Sequence, residues 1–112
     1  MPAKDEITFD DFTKLDFRVG TVLECEKVPK ADKLLKLTVD TGLDTRTVVS
    51  GIAEHFAPKD VVGRQVTLLI NLAPRKLRGI ESQGMVLMAS TDDGGLRFVT
   101  PEEGAAPGNV IS

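Results

Sequence analysis

The sequence predicts an all-β fold: a small closed or nearly closed barrel with a short helix before it. Three observations carry this expectation. From Phe17 onward, apolar and polar residues alternate with a period of two, as strands with one buried face do. Turn clusters such as Thr41-Gly42-Leu43-Asp44 and Asp92-Asp93-Gly94-Gly95 interrupt the alternation at short intervals. A chain of 112 residues, 41% hydrophobic and 28% charged, supplies one core and no long polar tract. The whole of 1–112 therefore reads as one domain.

The helix is expected over Ile7 to Leu15. Thr8 is placed to cap it, Asp11 to close a capping box, and Ile7 with Phe12 to staple its start. Asp10 and Asp11 suit the positive end of its dipole. From Phe17 the period changes, placing Phe17, Val19, Thr21, Leu23 and Cys25 on one side of a strand and Arg18, Gly20, Val22, Glu24 and Glu26 on the other. Pro29 breaks the pairing between Val28 and Asp32. Leu35, Leu37 and Val39 then alternate with Lys36, Thr38 and Asp40, and the turn at 41–44 joins this strand to a β-branched run from Thr45 to Ile52. Pro58 limits any helix between Ala53 and Val62 to a turn or two. Between Arg64 and Leu72, Val66, Leu68 and Ile70 mark one face, and Leu69 on the other predicts a strand covered on both sides. Met85 to Ala89 and Leu96 to Val99 are short strands about the turn at 92–95, Thr100 to Gly108 is a loop, and Asn109 to Ile111 a final edge strand.

Composition excludes several function classes. No run approaches the ~18 apolar residues of a membrane helix, and Met1 to Asp16 is too acidic and polar for a secretion signal, so a cytoplasmic protein without membrane attachment is expected. Cys25 and His55 are the sole cysteine and histidine. They exclude an intrachain disulfide and a Cys/His zinc site, and Cys25, lying in a strand alternation, reads as a small core residue rather than a nucleophile. With no paired acids, metal-ligand cluster or nucleotide-binding glycine loop, no catalytic residue, metal or cofactor is expected.

The charge distribution points instead to binding. The net charge is −3, yet Val61 to Ile80 contains Arg64, Arg75, Lys76 and Arg78 and no acid. Arg75, Lys76 and Arg78 fall between Pro74 and Gly79. Proline fixes its own φ and restrains Ala73, while glycine permits a sharp turn, so the basic loop is partly pre-ordered. Several cations on one short loop suit a polyanion better than a small anion. Asn71 and Ser82 are neutral groups able either to reach a ribose hydroxyl or base edge or to tie the loop to the barrel. Met85 offers a polarizable surface or a core side chain. Lys33 follows the Pro29 break beside a loop and is preferred to Lys36 as a ligand contact. The chain lacks Trp and Tyr and has five Phe, which disfavours a single-strand binder built on stacking platforms and favours folded RNA recognised by backbone and shape.

Four ordered stretches carry a resemblance: Asp11 to Gly20, Val28 to Leu37, Val49-Ser50-Gly51-Ile52, and Asn71 to Met85. Together they resemble the tRNA-binding domain family, most of all the domain that ends bacterial methionyl-tRNA synthetases and its free-standing dimeric relative. The resemblance runs from about Phe9 to Met88. It implies an OB-fold barrel over about residues 17–90 with a small β extension over about 91–112, a non-catalytic homodimer that holds tRNA by its structure, and a synthetase catalytic domain as a further partner. It also implies tRNA-binding roles for Lys33, Asn71, Arg75, Lys76, Ser82 and Met85, to which the charge pattern adds Arg78. Phe17 and Phe56 stand where relatives often carry an aliphatic residue and a tyrosine. Two alternatives remain open: a protein-export chaperone of the same fold that binds unfolded polypeptide, and a module that mainly dimerises a larger enzyme.

Overall fold

Strand β1 (Phe17–Lys27) organises the barrel in the computed structural model, which describes residues 2–112. Its C-terminal half pairs antiparallel with β2 (Leu35–Asp40), which continues through the turn at 41–44 into β3 (Thr45–Ser50). A single helical turn, α2 (Pro58–Val61), then leads into β4 (Gln65–Leu69), which pairs with the N-terminal half of β1. Strand β7 (Met85–Val86) adds to the other edge of β4, giving the order β3-β2-β1-β4-β7. Its ends meet where β3 packs against β7 and Gln83 N donates to Thr47 O at 2.8 Å. The result is a nearly closed five-strand barrel of the OB type.

The core follows from the alternation. Leu35, Leu37 and Val39 of β2, Val48 of β3, and Val66 and Leu68 of β4 are all fully buried. Each contributes about 1.5 to 3 kcal/mol by leaving water. Leu69 is also buried, as a strand covered on both faces requires, because the C-terminal segment lies over the outside of β4. There Thr67 Oγ1 donates to Val99 O at 2.8 Å and Gln65 Nε2 to Ala105 O at 2.6 Å.

The expected division of β1 into two constant faces fails at Leu23. Val22 pairs with Val39 and Glu24 with Thr38, so Leu23 is the extra residue of a bulge and lies 47% exposed. Before the bulge Gly20 and Val22 face the core; after it Cys25 does. A bulge bends and twists its strand, which lets one long strand serve two neighbours around the barrel. A Cβ at Gly20 would lie 2.7 Å from Val39 Cγ1, so glycine there is a packing requirement.

The apolar run after Met85 divides. Strand β8 (Met88–Ser90) leaves the barrel and forms a separate hairpin with β9 (Leu96–Phe98), which rests Met88, Leu96 and Phe98 on the core. The last strand, β10 (Val110–Ile111), returns to β1, pairing Ile111 with Phe17 and Val110 with Arg18. Arg18 secures this return: its Nη1 donates to Gly108 O at 3.2 Å and its Nε to Asp16 Oδ1 at 2.7 Å.

At the front, α1 (Phe9–Thr13) has the expected capping box, with Asp11 N donating to Thr8 Oγ1 and Thr8 N to Asp11 Oδ2. Its apolar side chains find no core, and Ile7, Phe9, Phe12 and Leu15 are all exposed. No helix among the described residues is long and apolar enough to cross a membrane.

Candidate nucleic-acid interface

The basic stretch is a hairpin rather than an irregular loop. Strands β5 (Arg75–Leu77) and β6 (Ile80–Ser82) pair in the register Arg75 with Ser82, Lys76 with Glu81 and Leu77 with Ile80. The two turn residues, Arg78 and Gly79, have φ of 52° and 80°. This is the left-handed pair that a two-residue hairpin turn of type I′ requires. Glycine adopts that conformation freely, whereas arginine does so at a cost of about 1 kcal/mol.

Alternation along β5 sends Arg75 and Leu77 to one side and Lys76 to the other. Arg75, Lys76 and Arg78 are exposed, and none joins an ion pair among the described residues. Unpaired guanidinium groups on a preset turn present their donors to solvent, and binding then has only their side chains, not the backbone of the turn, left to order.

Ser82 and Asn71 fix the hairpin to the barrel and to the N-terminal arm. Ser82 is 5% exposed; its Oγ accepts from Val49 N at 2.9 Å and donates to Gly84 O at 3.4 Å. Asn71 Oδ1 accepts from Asp16 N at 2.9 Å, and its Nδ2 donates to Lys14 O at 2.6 Å. Gly84 turns the chain from the hairpin into β7 at φ +115°.

Lys33 lies exposed in the segment between β1 and β2, where Ala53 N donates to its carbonyl at 3.1 Å. Its neighbour Leu34 and Arg75 line one groove, which brings the Lys33 segment and the hairpin to the same groove. Met85, 45% exposed, forms part of its wall. Lys36 is engaged elsewhere, 3.4 Å from Glu26. In an OB barrel the loops joining the first strand to the second and the fourth to the fifth rim the oligonucleotide face. Here those are the Lys33 segment and the basic hairpin.

Arg64 does not extend this basic patch. At the far end of β4, its guanidinium lies 4.7 Å from the Phe98 ring centre and 5.7 Å from that of Phe56. Those two rings pack 4.8 Å apart, so Phe56 serves a cluster beneath the β8–β9 hairpin. Sequence reasoning missed Lys30, which turns out of β1 at φ +62° with Ala31 N donating to Val28 O. Pro29 was the available signal, since proline at the second position of such a turn calls for a left-handed residue next. It also missed the groove, whose walls come from segments distant in sequence.

Comparison with known families decides the relationship. The family model described as "Putative tRNA binding domain" matches residues 17–110. The chain belongs to the tRNA-binding domain family. Among curated relatives of this tRNA-binding-family chain, the methionine–tRNA ligase of Porphyromonas gingivalis is 59% identical over 110 residues, which is 98% of this chain and 16% of that protein. The chain thus spans about a sixth of the length of the ligases it matches. Solved structures share its fold. The MetRS-related protein of Pyrococcus horikoshii superposes with a TM-score of 0.91 at 36% identity, covering 97% of this chain and 100% of that one. The chaperone CsaA of Bacillus anthracis superposes with a TM-score of 0.86 at 28% identity, covering 96% of this chain and 100% of that one.

Proposed function

We propose that this chain is a non-catalytic module that binds folded tRNA through backbone and shape, acts as a homodimer in the cytoplasm, and works as an appendage or companion of a methionyl-tRNA synthetase catalytic body. The observation that carries the reading is the hairpin of unpaired cations on the ligand-facing rim of an OB barrel in a tRNA-binding family. Lys33, Arg75, Lys76 and Arg78 contact phosphates, Met85 lies against a base or sugar, and Asn71 and Ser82 set the hairpin's position. The exposed apolar arm of Ile7, Phe9, Phe12 and Leu15 supports the homodimer, since such a surface marks association.

Labelled bulk tRNA, titrated at several salt concentrations with single-stranded DNA as competitor, tests the reading. Four neutralised phosphates per subunit set a fall of roughly 150-fold in affinity between about 50 and 200 mM salt. Saturable binding of that steepness, not displaced by the DNA, is expected. Binding no better than that of DNA overturns it.

Arg78→Gly separates strain from function. Glycine fits the left-handed turn, and the about 1 kcal/mol of relieved strain is largely offset by the freedom glycine adds to the unfolded chain, so Tm is expected to match or slightly exceed that of the wild type. Affinity for tRNA is expected to fall, with a salt slope smaller by about one. A Tm no lower than the wild type's with unchanged affinity removes Arg78 from the interface.

A further inference from the structure

We propose that the groove between the basic hairpin and the Lys33 segment captures one unstacked nucleobase of the bound RNA, an inference that rests on the tRNA-binding reading above. The groove has a volume of about 410 Å³, within the range of sites that enclose small ligands. Its walls are mostly aliphatic, with Leu34, Leu72, Leu77 and Met85 among the side chains that line it. Leu72 is 39% and Met85 45% exposed, so these apolar side chains face the opening instead of completing the core.

Charge complementarity selects the occupant. Arg75, on the hairpin, lines the groove, and the Lys33 segment borders it, with Leu34 in its lining and the Lys33 carbonyl oxygen 4.0 Å from a Cβ built at Gly51. A strand that drops one base into the groove keeps its flanking phosphates against cations. Ser50 supplies a polar element: it lines the groove, half-buried, and its hydroxyl is not drawn into the hydrogen bonds that join Ser82 to Val49 and Gly84. That hydroxyl can donate to or accept from a base edge. No aromatic ring lines the groove, so the base is held between aliphatic walls and the polarizable Met85 thioether. Only a base already freed from pairing fits such a slot, which directs the site to loops, bulges and ends of RNA rather than to continuous duplex.

Gly51 gives the means of testing this. It lines the groove, its φ is not left-handed, and a Cβ there would meet nothing nearer than Lys33 O at 4.0 Å. Gly51→Leu therefore fills the groove while leaving the core and every basic side chain in place. The probes are two RNA hairpins identical except for one unpaired nucleotide in the stem. Wild-type protein is expected to prefer the bulged hairpin roughly fivefold, the gain from burying on the order of 40 Å² of base surface against aliphatic walls. Gly51→Leu is expected to lose the preference while keeping its affinity for the paired hairpin and its salt slope. Leu72→Ser, at an exposed position outside the core, is expected to lower the preference in the same direction. Equal affinity of the wild type for both hairpins overturns the proposal, and so does a preference that survives both substitutions. If an extended leucine-rich peptide binds the wild type but not Gly51→Leu while the RNA preference persists, the groove is a polypeptide site and the proposal falls. Failure of both RNAs to bind the wild type overturns the tRNA reading and this inference together, whereas binding without preference overturns this inference alone.

Discussion

Replacing Arg75 and Lys76 together by alanine is expected to weaken tRNA binding by about 2 to 3 kcal/mol and to reduce the salt slope by about two, with the barrel intact. Both side chains are exposed and form no ion pair among the described residues, so removing them strands no buried partner. Glu81, across the hairpin from Lys76, is itself exposed and keeps its hydration. The backbone turn at Arg78 and Gly79 is untouched. Because the two side chains leave opposite faces of β5, the double substitution strips both sides of the hairpin at once. Circular dichroism and Tm should match the wild type, and the affinity measured across a salt series carries the result. A folded double variant with unchanged affinity and slope removes the hairpin from the interface.

Gly84→Ala is expected to be the most damaging single substitution near the site. At φ +115° the backbone lies where an L side chain is strained, and an added Cβ would sit 2.7 Å from Leu69 O. That oxygen belongs to the β4 backbone and cannot yield as a flexible side chain would. Together the two effects cost roughly 3 kcal/mol or more, a fall in Tm of more than about 10 °C for a domain of this size. Relief of the clash has to come from moving the hairpin, and with it the Ser82 hydroxyl that satisfies Val49 N. Thermal unfolding followed by circular dichroism checks the prediction. A Tm within a degree or two of wild type would show that the turn can rearrange freely.

Much of the fold could be read from local patterns, because the forces that set those patterns are local. Thr8 and Asp11 announce a helix start by chemistry that spans three residues, and that capping box forms. The alternation of Leu35, Leu37 and Val39 marks a strand with one buried face, and the single apolar Leu69 on the second face of β4 foretold its cover. The bulge at Leu23 was not legible, because apolar residues continue on both sides of it and only the pairing with β2 shows the slip. The β5–β6 hairpin was equally hidden. Its exposed residues carry no burial pattern, and only Gly79 marked the turn.

The site was legible as a charge cluster but not as a surface. Arg75, Lys76 and Arg78 are adjacent in sequence, so their joint exposure follows from one short element. Lys33 joins them only through the closure of the barrel, and Arg64, equally basic in sequence, is carried away by the length of β4. The occupation of the Asn71 amide by the backbone of Asp16 and Lys14, more than fifty residues earlier, has no local signature at all.

The pairing of the first barrel strand with the last few residues bears on how the chain acquires its shape. Phe17 is matched to Ile111, and Val19 exchanges backbone hydrogen bonds with Gly108 and Asn109. These contacts join residues separated by nearly the whole sequence, and closing so long a loop costs entropy before any contact repays it. Topologies dominated by such remote pairings fold in milliseconds to seconds rather than microseconds. A polypeptide leaving the ribosome can form the β2–β3 hairpin early, yet the start of β1 keeps one edge open until residues 108–111 have emerged.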